Sequence, residues 1–149
     1  METKYLKLPL DFGNLLNENI ENSRLATCSE TQSIDQYIEL LISTSPGEHA
    51  FDKEFGCEIF YLDFERIVSH TRWEGQFKEY ITKAITSYEK RITNVSVKVI
   101  IDDKTRQDTV FATSTIKKRV QVYVYADLVQ TGERHTFYYV IYLGPISTK

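Results

Sequence analysis

The chain has 149 residues, 18 basic and 21 acidic, for a net charge of −3, and its mildly acidic balance argues against nucleic-acid binding, which needs a basic face to displace counterions. This is the size of one domain, and folding at this length buries roughly 70% of the surface that an open chain exposes. Hydrophobic residues at 42% and aromatics at 13% exclude a disordered tail, while six Gly and three Pro exclude a collagen-like or linker-rich chain.

Cys28 and Cys57 are too few for a disulfide framework and read as free thiols in a reducing compartment. Residues 1–28 read as an N-terminal arm. Its first residues carry Glu2, Lys4, Lys7 and Pro9, with no apolar run of signal-peptide length. No stretch approaches the roughly 20 apolar residues of a membrane span. The expectation is a cytoplasmic protein with no membrane insertion. Within the arm, Leu8 to Gly13 reads as extended and ending in a turn, and Leu15, Leu16 and Ile20 as a short helical piece.

The first clear helix spans Thr31 to Thr44. Ile34, Tyr37, Ile38, Leu41 and Ile42 recur at three- and four-residue spacing and form one apolar stripe. Its capping box is either Ser33 with Gln36 or Ser29 with Gln32. Ser45-Pro46-Gly47 ends it, because Pro cannot continue a helix and Gly permits the turn. A polar loop follows, Glu48 to Gly56, pinned by two aromatics, Phe51 and Phe55. Cys57 to Leu62 reads as a short strand or extended piece. Asp63 caps a short helix carrying Phe64, Ile67 and Val68.

The second long helix spans Arg72 to Tyr88, with Trp73, Phe77, Tyr80, Ile81, Ala84, Ile85 and Tyr88 on its buried face. It hands over to a strand in which Val95, Val97, Val99 and Ile101 alternate with polar residues. Asp102-Asp103-Lys104 reads as the start of a polar loop, and Val110-Phe111-Ala112 as an edge segment. Val120, Val122 and Val124 mark the next strand, Phe137, Tyr139, Ile141 and Leu143 the last, with Thr131-Gly132-Glu133 turning a hairpin between them. The fold class is α+β: N-terminal helices packed on one face of a small, largely antiparallel sheet formed mainly by the C-terminal half, in a single domain spanning 1–149.

Little in the chain points to chemistry. His49, His70 and His135 have no second ligand at metal spacing, and no phosphate loop or nucleophile elbow is present. Cys57 reads as a buried, inert thiol. The acidic candidates for glycoside hydrolysis are Glu48, Glu54, Glu58, Asp63 and Glu89, and none is singled out as an acid or a nucleophile. The basic run Lys117-Lys118-Arg119 either protects a strand edge or meets an acidic partner strand. Glu89 opposes the helix macrodipole, so it serves some purpose other than helix stability, or else belongs to a solvated cluster. Glu89 and Arg91 are two apart and do not face each other along a helix, so either they reach different partners or Glu89 pairs with a cation elsewhere in the fold.

The ordered set of motifs resembles the gene-25-like baseplate wedge family of contractile injection machines, which includes phage-tail baseplate proteins and TssE of type VI secretion. Three stretches carry the likeness: Ser33-Ile34 through Leu40-Leu41-Ile42-Ser43-Thr44; Pro46-Gly47-Glu48-His49 followed by Phe55-Gly56; and Tyr88-Glu89-Lys90-Arg91-Ile92 ahead of the valine strand. His49 stands where the family usually has Arg, and Lys90 where it has Pro. The resemblance implies a structural subunit, not an enzyme, with no cofactor, metal or small-molecule substrate; type VI secretion is the favoured machine, and the alternatives are a phage-tail or extracellular contractile particle, a peptidoglycan hydrolase, or a small adaptor that binds a regulator. Its implied partners are the larger wedge subunits that form a helical core bundle, and the sheath protein whose polymerisation it helps start. The implied contact residues are Gly47, Glu48, His49, Phe55, Gly56, Glu89, Lys90 and Arg91. The resemblance implies that Glu89 and Arg91 contact the core bundle or brace the junction that does, so replacing either by Ala is expected to leave folding largely intact and to weaken association with the larger baseplate subunits.

Overall fold

The computed structural model describes residues 4–13, 25–62, 70–107 and 114–143, with the side chains of 70, 103–107 and 114–117 left aside. Leu15, Leu16 and Ile20, the short helix at Asp63 to Val68, and the Val110-Phe111-Ala112 segment lie outside the described residues.

The helices form where the apolar stripes are. Helix α1 spans Glu30–Ser43 and helix α2 spans His70–Tyr88, starting two residues ahead of the expected Arg72. The capping box of α1 is the Ser29/Gln32 one: the Ser29 hydroxyl accepts from the Gln32 N–H, and the Gln32 side chain accepts from the Ser29 N–H. Ile34, Ile38, Leu41 and Ile42 of α1 meet Phe77, Ile81 and Ile85 of α2 in one buried cluster.

The remaining strands form two sheets. Strands β1 (Tyr5–Leu6) and β2 (Thr27–Cys28) pair antiparallel beside α1. Strands β3 (Ile92–Gln107), β4 (Ser114–Leu128) and β5 (Arg134–Leu143) form an antiparallel sheet in the order β3-β4-β5. In-facing residues align across it, with Val99 opposite Val122 and Val122 opposite Tyr139. They join the helical cluster, so the helices cover one face of the sheet, in the α+β arrangement. Near its start β3 carries an irregularity between Thr93 and Ser96, where Asn94 adopts φ 51. Asn accepts this left-handed conformation better than most residues.

Three local expectations change. Cys57 to Leu62 is not a strand: Glu58–Tyr61 forms a 3-10 helix whose Ile59 plugs into the core, fully buried. Asp102-Asp103-Lys104 does not begin a loop; β3 continues to Gln107 because β4 pairs with it throughout. Asp102 lies opposite Arg119, and its carboxylate accepts from the Arg119 guanidinium and the Gln121 amide, each at 2.7 Å. A cross-strand charge pair of this kind keeps a polar stretch in a sheet. For the same reason Lys117-Lys118-Arg119 does not protect an edge, since β4 is the central strand.

Candidate partner-binding site

Two connections follow the helices, and each is held by its own polar groups. At the end of α1 the chain turns at Gly47, φ +94. The Ser45 N–H donates to Glu48 Oε2 at 2.8 Å and the Gly47 N–H to the Lys53 carbonyl at 2.9 Å. The Asp52 N–H donates to His49 Nδ1 at 3.1 Å, and the Glu54 N–H to Asp52 Oδ1 at 3.0 Å. The loop then returns to the helix end, where the Cys57 N–H donates to the Thr44 carbonyl at 2.9 Å. Gly56 makes that return possible. It has φ +128, and a Cβ there would stand 2.5 Å from the Thr44 carbonyl oxygen.

Phe55 is the hinge pin of the loop. It is buried, with its ring edge-on to Tyr88 at 5.2 Å and tilted against His49 at 5.2 Å and Tyr37 at 6.0 Å. Tyr88 closes α2, so these rings tie the loop to the second connection, the junction between α2 and β3. Burial, followed by the charge of Asp52 and a hydrogen bond to it, pushes the Tyr88 hydroxyl above its ordinary pKa.

At the junction Glu89 is 3% exposed, and it is the buried charged residue among those described. Both its carboxylate oxygens are taken by Arg91: Nε donates to Oε1 at 2.9 Å and Nη2 to Oε2 at 2.6 Å. The Arg91 backbone N–H also donates to Oε1 at 2.9 Å. The guanidinium reaches further, donating from Nη1 to the Ser33 hydroxyl of α1 at 2.9 Å. The Tyr5 ring of β1 covers it, 5.2 Å from the guanidinium carbon. The Arg91 carbonyl accepts from the Val129 N–H beyond β4. One ion pair thus links α1, α2, β1 and the sheet. The hydrogen bond to Glu89 raises the guanidinium pKa further, so Arg91 stays charged. Lys90 turns the other way, its ammonium donating to the Thr86 carbonyl at 2.9 Å and capping the end of α2.

Residues 28–132 match the baseplate wedge protein gp25 family. The chain belongs to the gp25 baseplate wedge family. Two solved structures share the fold of this wedge-family chain. One is a protein from Geobacter sulfurreducens described as a candidate tail lysozyme, with TM-score 0.60 and 18% identity over 83% of this chain and 100% of its own. The other is the baseplate complex from the type VI secretion system, with TM-score 0.50 and 15% identity over 76% of this chain and 93% of that one. At these identities the likeness speaks to the fold alone. No curated protein matches the chain.

The structure of this gp25-family chain unites the Phe55-Gly56 and Glu89-Lys90-Arg91 motifs through Tyr88. Glu48 and His49 instead engage their own loop. The expectation that Glu89 and Arg91 reach separate partners, or that Glu89 finds its cation elsewhere in the fold, is overturned. The helix ends at Tyr88, and the extended chain beyond it brings the two side chains together. The expectation that two aromatics pin the loop holds for Phe55 but not for Phe51, which is 98% exposed. Where the family usually has Pro, the turn after α2 is held by the Lys90 cap and the Glu89 carboxylate. Tyr5 carries no signal in the sequence, and Ser33 and Tyr37, legible there as a cap candidate and a member of the α1 stripe, gain their roles at this site from partners far along the chain.

Three of the five acidic candidates make structural contacts, and Asp63 lies outside the described residues. Glu48 accepts from Ser45, Glu58 pairs with Lys83 at 3.1 Å, and Glu89 pairs with Arg91. Burial pushes the Cys57 thiol up to about 11, far from the thiolate a nucleophile needs. Among the described residues no cluster of His, Cys, Asp or Glu could hold a metal ion.

Proposed function

We propose that this wedge-family chain is a TssE-like structural subunit of a type VI secretion baseplate, with residues 1–149 acting as one domain in the cytoplasm. The observation that carries this reading is the Glu89–Arg91 pair, which binds both helices, the arm and the sheet into one rigid body at the motif shared with the family. An assembly subunit needs such a body more than it needs a cleft. In this reading Glu89 and Arg91 hold the surface from beneath, and the loop from Gly47 to Gly56 together with Lys90 meets the core bundle of the larger subunits.

The second surface is the β5 edge, which has no strand neighbour among the described residues. Beside it runs a groove with Asp35 and Glu39 of α1 on one wall and Tyr139 to Tyr142 of β5 on the other. A strand from the sheath protein adds there by β-augmentation, backbone to backbone, and starts sheath polymerisation. Catalysis forms no part of the role: a glycosidase needs two carboxyl groups free to reach substrate, and the carboxylates of the matched motifs are engaged.

The test is co-expression of the full chain with the larger wedge subunits of its own gene cluster, followed by size-exclusion chromatography. Co-elution with them is the expected result. Elution alone, together with clearing of purified cell walls that Glu48→Gln abolishes, would replace this reading with a hydrolase. Membrane-complex genes beside the gene support secretion; capsid genes would make the same subunit part of a phage tail.

A further inference from the structure

We propose that the groove beside β5 selects an extended segment of a partner chain that has basic residues at alternate positions and apolar residues between them; this deepens the strand-addition reading above and rests on it. The two edges of the main sheet differ. The β3 edge is guarded: it has an irregularity between Thr93 and Ser96 and carries Lys98 and Asp102. Bulges and charges of this kind discourage pairing with another chain. The β5 edge has no such guard from Phe137 to Leu143. That stretch contains no Pro and no charged residue, and it pairs with β4 in unbroken register. It has no strand neighbour on its other side among the described residues. An edge of this kind receives an added strand through backbone hydrogen bonds.

The two sides of that strand position differ chemically. On the helix side Asp35 and Glu39, one turn apart on α1, line the groove together with Ile42 and Phe60. Asp35 accepts from the Tyr139 hydroxyl and Glu39 is exposed. Among the described residues no cation pairs with either carboxylate. On the open side Tyr138, Val140 and Tyr142 form a row of exposed apolar side chains. Successive side chains of an added strand point to these two sides in turn. Lys or Arg fits the first, with its stem along Ile42 and its charge at the carboxylates. An apolar residue fits the second, as a cross-strand neighbour of the exposed row.

The same acidic wall argues against a second copy of this chain as the occupant. Antiparallel pairing of β5 with β5 about a twofold axis sets both acidic walls on one side of the joined sheet, where they repel.

The probes are two capped, strand-length peptides, one alternating Lys with Val and the other Glu with Val, added to the purified full chain. The Lys–Val peptide is expected to bind roughly 10-fold more tightly, as two surface ion pairs allow, and to slow hydrogen exchange of the β5 amides. Glu39→Lys is expected to erase that margin while leaving the Asp35–Tyr139 contact in place. Equal affinity of the wild type for the two peptides, or binding with unchanged exchange along β5, overturns the proposal. So does a chain that dimerises through β5 and excludes both peptides. A chain that co-elutes with the wedge subunits but binds neither peptide overturns the groove alone; one that fails to co-elute overturns the assembly reading.

Discussion

Glu89 shows how much a single buried charge can organise. Its carboxylate is desolvated, and such a group is tolerated only with close partners. Arg91 supplies two side-chain donors and one backbone donor to it. Removing Arg91 strands the buried carboxylate, so Arg91→Ala is expected to cost about 3 kcal/mol of folding stability. Arg91 itself keeps 27% of its side chain in water. Glu89→Ala therefore leaves a cation that water can still reach, and is expected to cost less, about 2 kcal/mol. Chemical denaturation of the two variants checks both the size and the order. Equal wild-type stability in both would return the pair to the role of a surface contact. Gly56 is constrained in a different way. Its backbone conformation disfavours any L side chain, and the Thr44 carbonyl fills the space a methyl would need. Gly56→Ala is expected to cost about 2 kcal/mol or more, whereas Glu54→Ala on the open side of the same loop is expected to be nearly silent in the same unfolding measurement.

At the scale of elements, the strands of the main sheet are tied by side chains as well as by their ladders. Asp127 of β4 accepts from Asn94 of β3 at 2.8 Å and from Arg134 of β5 at 2.9 Å. These two contacts, Asn94 first, hold its pKa below the ordinary carboxylate value. An acid with a lowered folded-state pKa stabilises the fold above its unfolded pKa of about 4, and that contribution disappears as pH falls through the folded value. The unfolding midpoint is therefore expected to fall as pH drops below about 4, and Asp127→Asn is expected to flatten that slope. An unaltered slope in the variant would remove Asp127 from the account. The same scale explains why β3 outruns its hydrophobic alternation. Its far end is paired along its length by β4, and Asp102 is satisfied by Arg119 and Gln121.

At the scale of the whole molecule, the architecture separates support from contact. Tyr139 of β5 donates to the Asp35 carboxylate of α1 at 2.8 Å, joining residues at opposite ends of the sequence. Burial, then that hydrogen bond, raises its pKa, so the hydroxyl remains a donor. The Glu89–Arg91 pair joins Ser33, two residues away on the same early part of α1, to the end of α2, the sheet and the arm. Beside these two fastenings lies the apolar cluster shared by the helices and the sheet. Outside them lie the β5 edge and the loop tip, the two features offered to partners in the proposed assembly. The co-elution experiment addresses those features without disturbing the fastenings.

The sequence by itself determined the two long helices, the alternating parts of the three main-sheet strands and the fold class. Ile34, Ile38, Leu41 and Ile42 at helical spacing, and Val97, Val99 and Ile101 in alternation, each bury one face of a regular element, and periodicity is a local property that the sequence carries directly. The ordered motifs also pointed to the family. Only the tertiary structure decided that Glu89 and Arg91 pair, that Phe55 pins the loop while Phe51 is left outside, and that the basic run lies on a central strand. The physical reason is common to all three. A charge or an aromatic ring is stable in several environments provided a partner is present, and the partners here (Ser33, Tyr5, Tyr88, Asp102) are delivered by the fold rather than by neighbours in sequence.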